Sequence, residues 1–179
     1  MPGTIPAARQ HLIDDIAKLA RRKRGAALPL PAFVQAYYRG VGEEDLQLRT
    51  PAEFAAAATG HLLFGATRRP GEPRVRVYNP ELARDGWESP NTIVEVVTDD
   101  MPFLVDSLRM VLDRRGLGIH LLVHPMLAVE RDDKDALLDV RFDDGTGVPA
   151  PDAAPGAHAL VEAWTQIELD RVDDEVGRQ

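Results

Sequence analysis

Asp99, Asp100 and Asp106 stand close together in the chain. Grouped carboxylates of this kind serve general acid and base chemistry, or hold an amino group. They fall between a β-branched run and a helical pattern, so they also suit a plainer task, capping the free N–H groups at a helix start. Capping is the simpler reading, and a small ligand with an amino group would use the same carboxylates. Serine chemistry has little to draw on: the serines are Ser89 and Ser107, and neither lies in a G-x-S-x-G turn. Gly116-Leu117-Gly118 and Gly145-Thr146-Gly147 are not placed between a strand and a helix, where a phosphate cradle needs its glycines. His120 and His124 fall on one expected strand, about 13 Å apart at roughly 3.3 Å per residue, too far to share a metal ion. No catalytic, cofactor-binding or metal-binding residues are therefore expected in this chain.

The elements that must position these residues are legible from periodicity. Leu12, Ile16 and Leu19 mark an amphipathic helix over 7–23, followed by a connector from Gly25 to Pro31. Phe33, Val34, Tyr37 and Tyr38 predict a short helix ending near Gly40. Thr50, Pro51 and Glu53 form a capping box that starts a helix running to about Arg68. Tyr37, Tyr38 and Phe54 are expected to pack in the core. Beyond residue 70 the period changes. Arg74–Tyr78 alternates as a strand does, 79–91 reads as a loop, and Thr92–Thr98 reads as a central strand buried except at Glu95. A helix follows with Leu104, Leu108 and Val111 inward, Asp106, Arg109 and Asp113 outward, and Gly116 just past its end. One long strand is expected over 118–129, with Pro125 at an edge or bulge, and a turn at 132–135 leads into a strand at 136–142. Residues 143–156 read as a surface loop, and 161–172 suits helix or strand, the alternation of Ile167 and Leu169 with charged neighbours favouring a strand.

Composition narrows the partners. The net charge is −8. That argues against general polyanion binding, and the basic run Arg21, Arg22, Lys23, Arg24 suits the negative end of a helix dipole. No apolar run approaches the roughly 20 residues that cross a bilayer. Neither nucleic acid nor membrane is expected as a partner. Cysteine is absent, which excludes disulfides and thiolate chemistry and is compatible with a reducing, cytoplasmic location.

The stretch from Asn91 to Pro125 contains Asp-Met-Pro-Phe-Leu-Val-Asp-Ser at 100–107 and Gly-Ile-His-Leu-Leu-Val-His-Pro at 118–125. It resembles the first ACT-like domain of the large NAD-dependent glutamate dehydrogenases, and Trp164–Arg171 is similar to the strand that follows in that family. The resemblance covers roughly residues 73–172. It implies a multidomain enzyme whose distant dehydrogenase domain oxidises L-glutamate to 2-oxoglutarate and ammonium with NAD, none of that machinery lying here.

The fold it implies is α+β. An N-terminal helical segment over 1–70 would precede an ACT-like domain over 73–179, built as an antiparallel ferredoxin-like sheet with helix on one face and lacking its last helix and strand. ACT domains receive an amino-acid effector near the turn after the first strand, which here comprises Asp99, Asp100, Met101, Pro102, Phe103, Asp106 and Ser107. Glycine often follows that proline in the family. Here the position is Phe103, whose ring is expected to fill the effector space. The functional expectation is a regulatory or assembly module, non-catalytic in this piece, joined to the rest of a homo-oligomeric parent. A pure oligomerisation scaffold and a free-standing amino-acid sensor are the alternatives.

Overall fold

The computed structural model describes residues 7–20, 28–143, 145 and 157–173. The basic run at 21–24, most of the expected 143–156 loop and the Gly145-Thr146-Gly147 stretch lie wholly or partly outside them.

Four helices form the first layer: α1 (Ala7–Ala20), α2 (Leu30–Tyr37), the short α3 (Glu43–Leu46) and α4 (Pro51–Gly65). The start of α4 follows from its sequence. The Thr50 hydroxyl accepts from the Glu53 N–H while the Glu53 carboxylate accepts from the Thr50 N–H, which satisfies helix-start donors that would otherwise be orphaned. The aromatic residues of this layer pack as expected. Phe33 lies 4.9 Å from Tyr37 and 5.0 Å from Trp164, ring to ring, and Tyr38 donates its hydroxyl to the Phe54 carbonyl.

The second layer is a single sheet of β1 (Arg74–Tyr78), β2 (Thr92–Asp99), β3 (Ile119–Val123), β4 (Met126–Arg131), β5 (Leu137–Phe142) and β6 (His158–Leu169). All pairings are antiparallel, in the order β1-β2-β6-β4-β5, with β3 also against β6. The last strand is thus the centre of the sheet, and β1 covers the outer edge of β2. Two further helices are α5 (Leu82–Asp85), inside the segment expected to be a loop, and α6 (Leu104–Arg114) between β2 and β3. The expected 118–129 strand is two strands. Pro125 has no N–H to donate and interrupts the ladder, while its carbonyl accepts from the Trp164 N–H and the register against β6 is the same on both sides, Val123 opposite Gln166 and Met126 opposite Ala163.

The helices of the first layer and the sheet share one core. Ile13, Phe33, Tyr37 and Leu62 cluster with Val97, Leu121, Val123 and Trp164, so the boundary near residue 70 is a change of element type that the packing crosses. Helix and sheet approach very closely at Gly65, where an added Cβ would come within 2.2 Å of the Trp164 ring.

The face of the sheet turned to these helices carries Ile93, Glu95 and Val97 of β2, beside Glu168, Gln166 and Trp164 of β6. Glu95 is completely buried, contrary to its expected exposure. Its carboxylate accepts from Arg76, the Tyr78 hydroxyl and Gln166, which makes burial tolerable. On the opposite face Thr165 and Ile167 are also fully buried. Helix α6, between β2 and β3, has half-buried Leu104, Leu108 and Leu112. Val111, expected to point inward, is exposed, because the inner stripe follows i, i+4 spacing from Leu104 and leaves Val111 on the flank.

Candidate functional site

The candidate turn starts where β2 leaves the sheet. The Asp100 N–H still donates to the Val161 carbonyl, after which Met101, Pro102 and Phe103 are all exposed. Phe103 occupies the N-cap position of α6 with φ 62° and ψ 16°, the left-handed region that glycine favours, and the Ser107 N–H donates to its carbonyl. A phenylalanine therefore holds a conformation that glycine adopts more readily. Its ring does not fill the space beside the turn: Phe103 is 75% exposed. The positive φ aims the Cα–Cβ bond away from the direction a right-handed residue would give it, and the expected packing against the sheet is lost.

The capping expectation is also corrected. No side chain caps α6, and Asp99 is engaged elsewhere. Its carboxylate accepts from Arg68 Nη2 at 2.5 Å and from the Gly71 N–H at 2.7 Å. Partial burial raises the Asp99 pKa, but these two hydrogen bonds and the Arg68 charge outweigh it and hold the group below the usual aspartate value. Asp100, Asp106 and Ser107 are exposed around the same turn. The turn thus brings Asp99, Asp100, Met101, Pro102, Phe103, Asp106 and Ser107 together, with Asp99 already committed to an internal partner.

Behind it lies a network that sequence reasoning missed. Glu162, fully buried, accepts from Arg68 Nε at 3.0 Å, Arg131 Nε at 2.7 Å and Trp164 Nε1 at 3.0 Å. Arg131 also donates to the carbonyls of Gly65 and Asp135, which ties the end of α4 to the β4–β5 turn. Further along β6, Glu168 accepts from Arg49, Ser89 and Asn91. Burial raises the Glu168 pKa, but those hydrogen bonds bring it below its ordinary value. Three buried carboxylates, Glu95, Glu162 and Glu168, are thereby matched by arginines from four separate segments. The signal in the sequence was the alternation of polar Glu162, Gln166 and Glu168 with apolar neighbours, a pattern that ordinarily marks a solvent face.

The histidines have local partners: His120 bonds Asp170 at 2.8 Å and His124 bonds the Thr165 hydroxyl at 2.7 Å. Among the described residues no three His, Asp or Glu side chains are grouped to hold a metal ion. The β2–α6 junction does not have the makeup of a dinucleotide cradle: where a pyrophosphate would need glycines, the chain places Asp99, Asp100 and Phe103.

The family model described as "Glutamate dehydrogenase, ACT1 domain" matches residues 33–179. The chain belongs to this family. It is 36% identical over 152 residues to the NAD-specific glutamate dehydrogenase of Halomonas elongata, a match covering 85% of this chain and 9% of that protein. Against the NAD-specific glutamate dehydrogenase of Pseudomonas aeruginosa it is 32% identical over 163 residues, covering 90% of this chain and 9% of that one. The ACT1 chain thus spans about a tenth of the length of the curated relatives it matches. No solved structure matches it. No helix among the described residues is long and apolar enough to cross a membrane.

Proposed function

We propose that this ACT1 chain is the N-terminal regulatory and assembly region of a large cytoplasmic, homo-oligomeric NAD-dependent glutamate dehydrogenase. In this reading it takes no part itself in the oxidation of L-glutamate to 2-oxoglutarate and ammonium. The observation that carries the reading is the ACT1 match over residues 33–179, in a chain spanning 9% of its NAD-specific relatives. The use of its polar residues supports a non-catalytic role: Glu95, Glu162 and Glu168 are consumed by arginines and by neighbouring side chains inside the fold. Calorimetric titration with NAD and an assay with glutamate test it. Neither binding nor turnover is expected, and micromolar NAD affinity in the 179-residue chain overturns the reading.

The exposed turn favours an amino-acid effector over a purely structural scaffold. With Phe103 outside, Asp100 and Asp106 are open to a ligand's ammonium group, beside the uncapped N–H groups at the start of α6 that suit its carboxylate. Titration with the common L-amino acids decides between the two. Saturable binding that Asp100→Ala weakens supports the sensor, and no binding by any of them leaves the assembly role alone.

A further inference from the structure

The outward face of α6 mixes exposed apolar and charged residues. Met101, Phe103, Met110 and Val111 are among the exposed large hydrophobic residues, and all four lie on α6 or the turn leading into it. The half-buried Leu104, Leu108 and Leu112 define the inner side of the helix. At about 100° per residue, Met110 falls opposite that stripe, on the outermost line. Met110 is 49% exposed. One turn on either side of it stand Asp106 and Arg114, both exposed and without an ion-pair partner among the described residues.

This arrangement is self-complementary. A two-fold axis through Met110 that lays α6 antiparallel against a second copy sets Asp106 opposite Arg114 of that copy, and the symmetry repeats the pair at the other end. Met110 then meets its own equivalent at the axis, flanked by the two ion pairs. A parallel arrangement would instead oppose like charges, Asp106 to Asp106 and Arg114 to Arg114, which is unfavourable. We infer that the outward face of α6 is a homotypic docking surface, Met110 at its centre and the Asp106–Arg114 pairs fixing its antiparallel direction. The inference rests on the assembly role proposed above and names the surface that performs it. An eleven-residue helix is about 16 Å long, so the contact is well short of a standard interface and the isolated pair is weak.

The absence of cysteine from the chain makes the test direct. Met110→Cys places one thiol of each copy at the axis, and mild oxidation is expected to give a covalent dimer. Leu138→Cys, an exposed position on β5, is the control and is expected to stay uncrosslinked. Sedimentation of the 179-residue chain then reads the charges. Asp106→Arg or Arg114→Asp alone is expected to weaken self-association by at least about tenfold, and the double exchange to restore it, with thermal melts unchanged because both side chains are exposed. A dimer indifferent to Met110→Glu and to both charge reversals overturns this surface while sparing the assembly role. A strict monomer at millimolar concentration, with no cross-link formed by the Met110→Cys variant, overturns both.

Discussion

Phe103 and His61 are each held away from their ordinary preferences, in opposite ways. Phe103 combines a left-handed backbone with an exposed ring, so its side chain contributes little and its backbone costs about 1–2 kcal/mol relative to a residue free to adopt that region. Phe103→Gly is therefore expected to stabilise the chain by up to about 1 kcal/mol, part of the gain being offset by the greater freedom of glycine when unfolded. Phe103→Ala keeps the strain and is expected to change stability by less than about 0.5 kcal/mol. Urea denaturation of both variants checks this, and a loss of several kcal/mol on Phe103→Ala would mean that the ring is packed after all. His61 is the opposite case, completely buried on α4 with Nδ1 on the Tyr37 hydroxyl at 2.8 Å. Burial pushes its pKa down to about 4, against an upward pull from Glu95 and a further lowering by Arg76. Between pH 6.5 and 4 the unfolded chain binds the proton that the folded chain refuses. The His61 contribution is thus complete above pH 6.5 and is lost as the pH falls towards 4, by up to about 3 kcal/mol at about 1.36 kcal/mol per unit. His61→Gln, which can keep the bond to Tyr37, is expected to flatten that part of a pH–stability profile measured by denaturation.

Strands β2 and β6 and helix α4 meet over a polar layer, and elements joined this way depend on each charge having its partner. Glu162 carries the largest share: it faces Arg68 from beyond α4 and Arg131 from β4, all three almost without solvent exposure. Glu162→Gln would leave the buried Arg131 short of a counter-charge and Arg68 with Asp99 alone, at an expected cost of about 3–5 kcal/mol. The measurement is the denaturation midpoint at neutral pH, with the Trp164 emission as a local reporter because its indole N–H donates to the same carboxylate. A loss below about 1 kcal/mol would show that water reaches the pair and replaces it. Asp99 extends this layer to the candidate turn, which explains why the end of β2 is anchored while Met101 to Phe103 stand clear of the sheet. Its pKa is lowered in the folded chain, so its contribution is present above the unfolded aspartate value and is lost as the pH falls through the folded one.

At the scale of the whole molecule, α1, α2 and α4 cover one face of the sheet. Removing residues 1–72 would expose Val97, Leu121, Val123 and Trp164 and would take Arg49 and Arg68 from Glu168 and Glu162. The remaining 73–179 piece is expected to lose its cooperative melt and to aggregate, since uncovered apolar faces and strand edges seek partners. Calorimetry and size-exclusion chromatography of that piece are the check. A sharp two-state transition in it would mean that the helical segment is an appendage rather than half of the core.

Local information was enough for much of this molecule. The capping box at Thr50, the alternation of Arg74–Tyr78, the β-branched run of β2 and the strand at the chain's C-terminal end are each encoded by a few neighbouring residues, and so were the fold class and the family. The Asp99–Ser107 turn could be located from sequence for the same reason, since a strand signal and a helix signal enclose it. Its state could not. The φ of Phe103 is a backbone choice that the residue type opposes, and the engagement of Asp99 depends on Arg68, 31 residues away in the chain. The polar face of β6 shows the limit most clearly. Alternation states that Glu162, Gln166 and Glu168 share a face, but not whether water or protein lies against it. Arginines brought from positions 49, 68, 76 and 131 decided that, because a carboxylate can be buried wherever distant cations converge, and only the folded chain makes them converge.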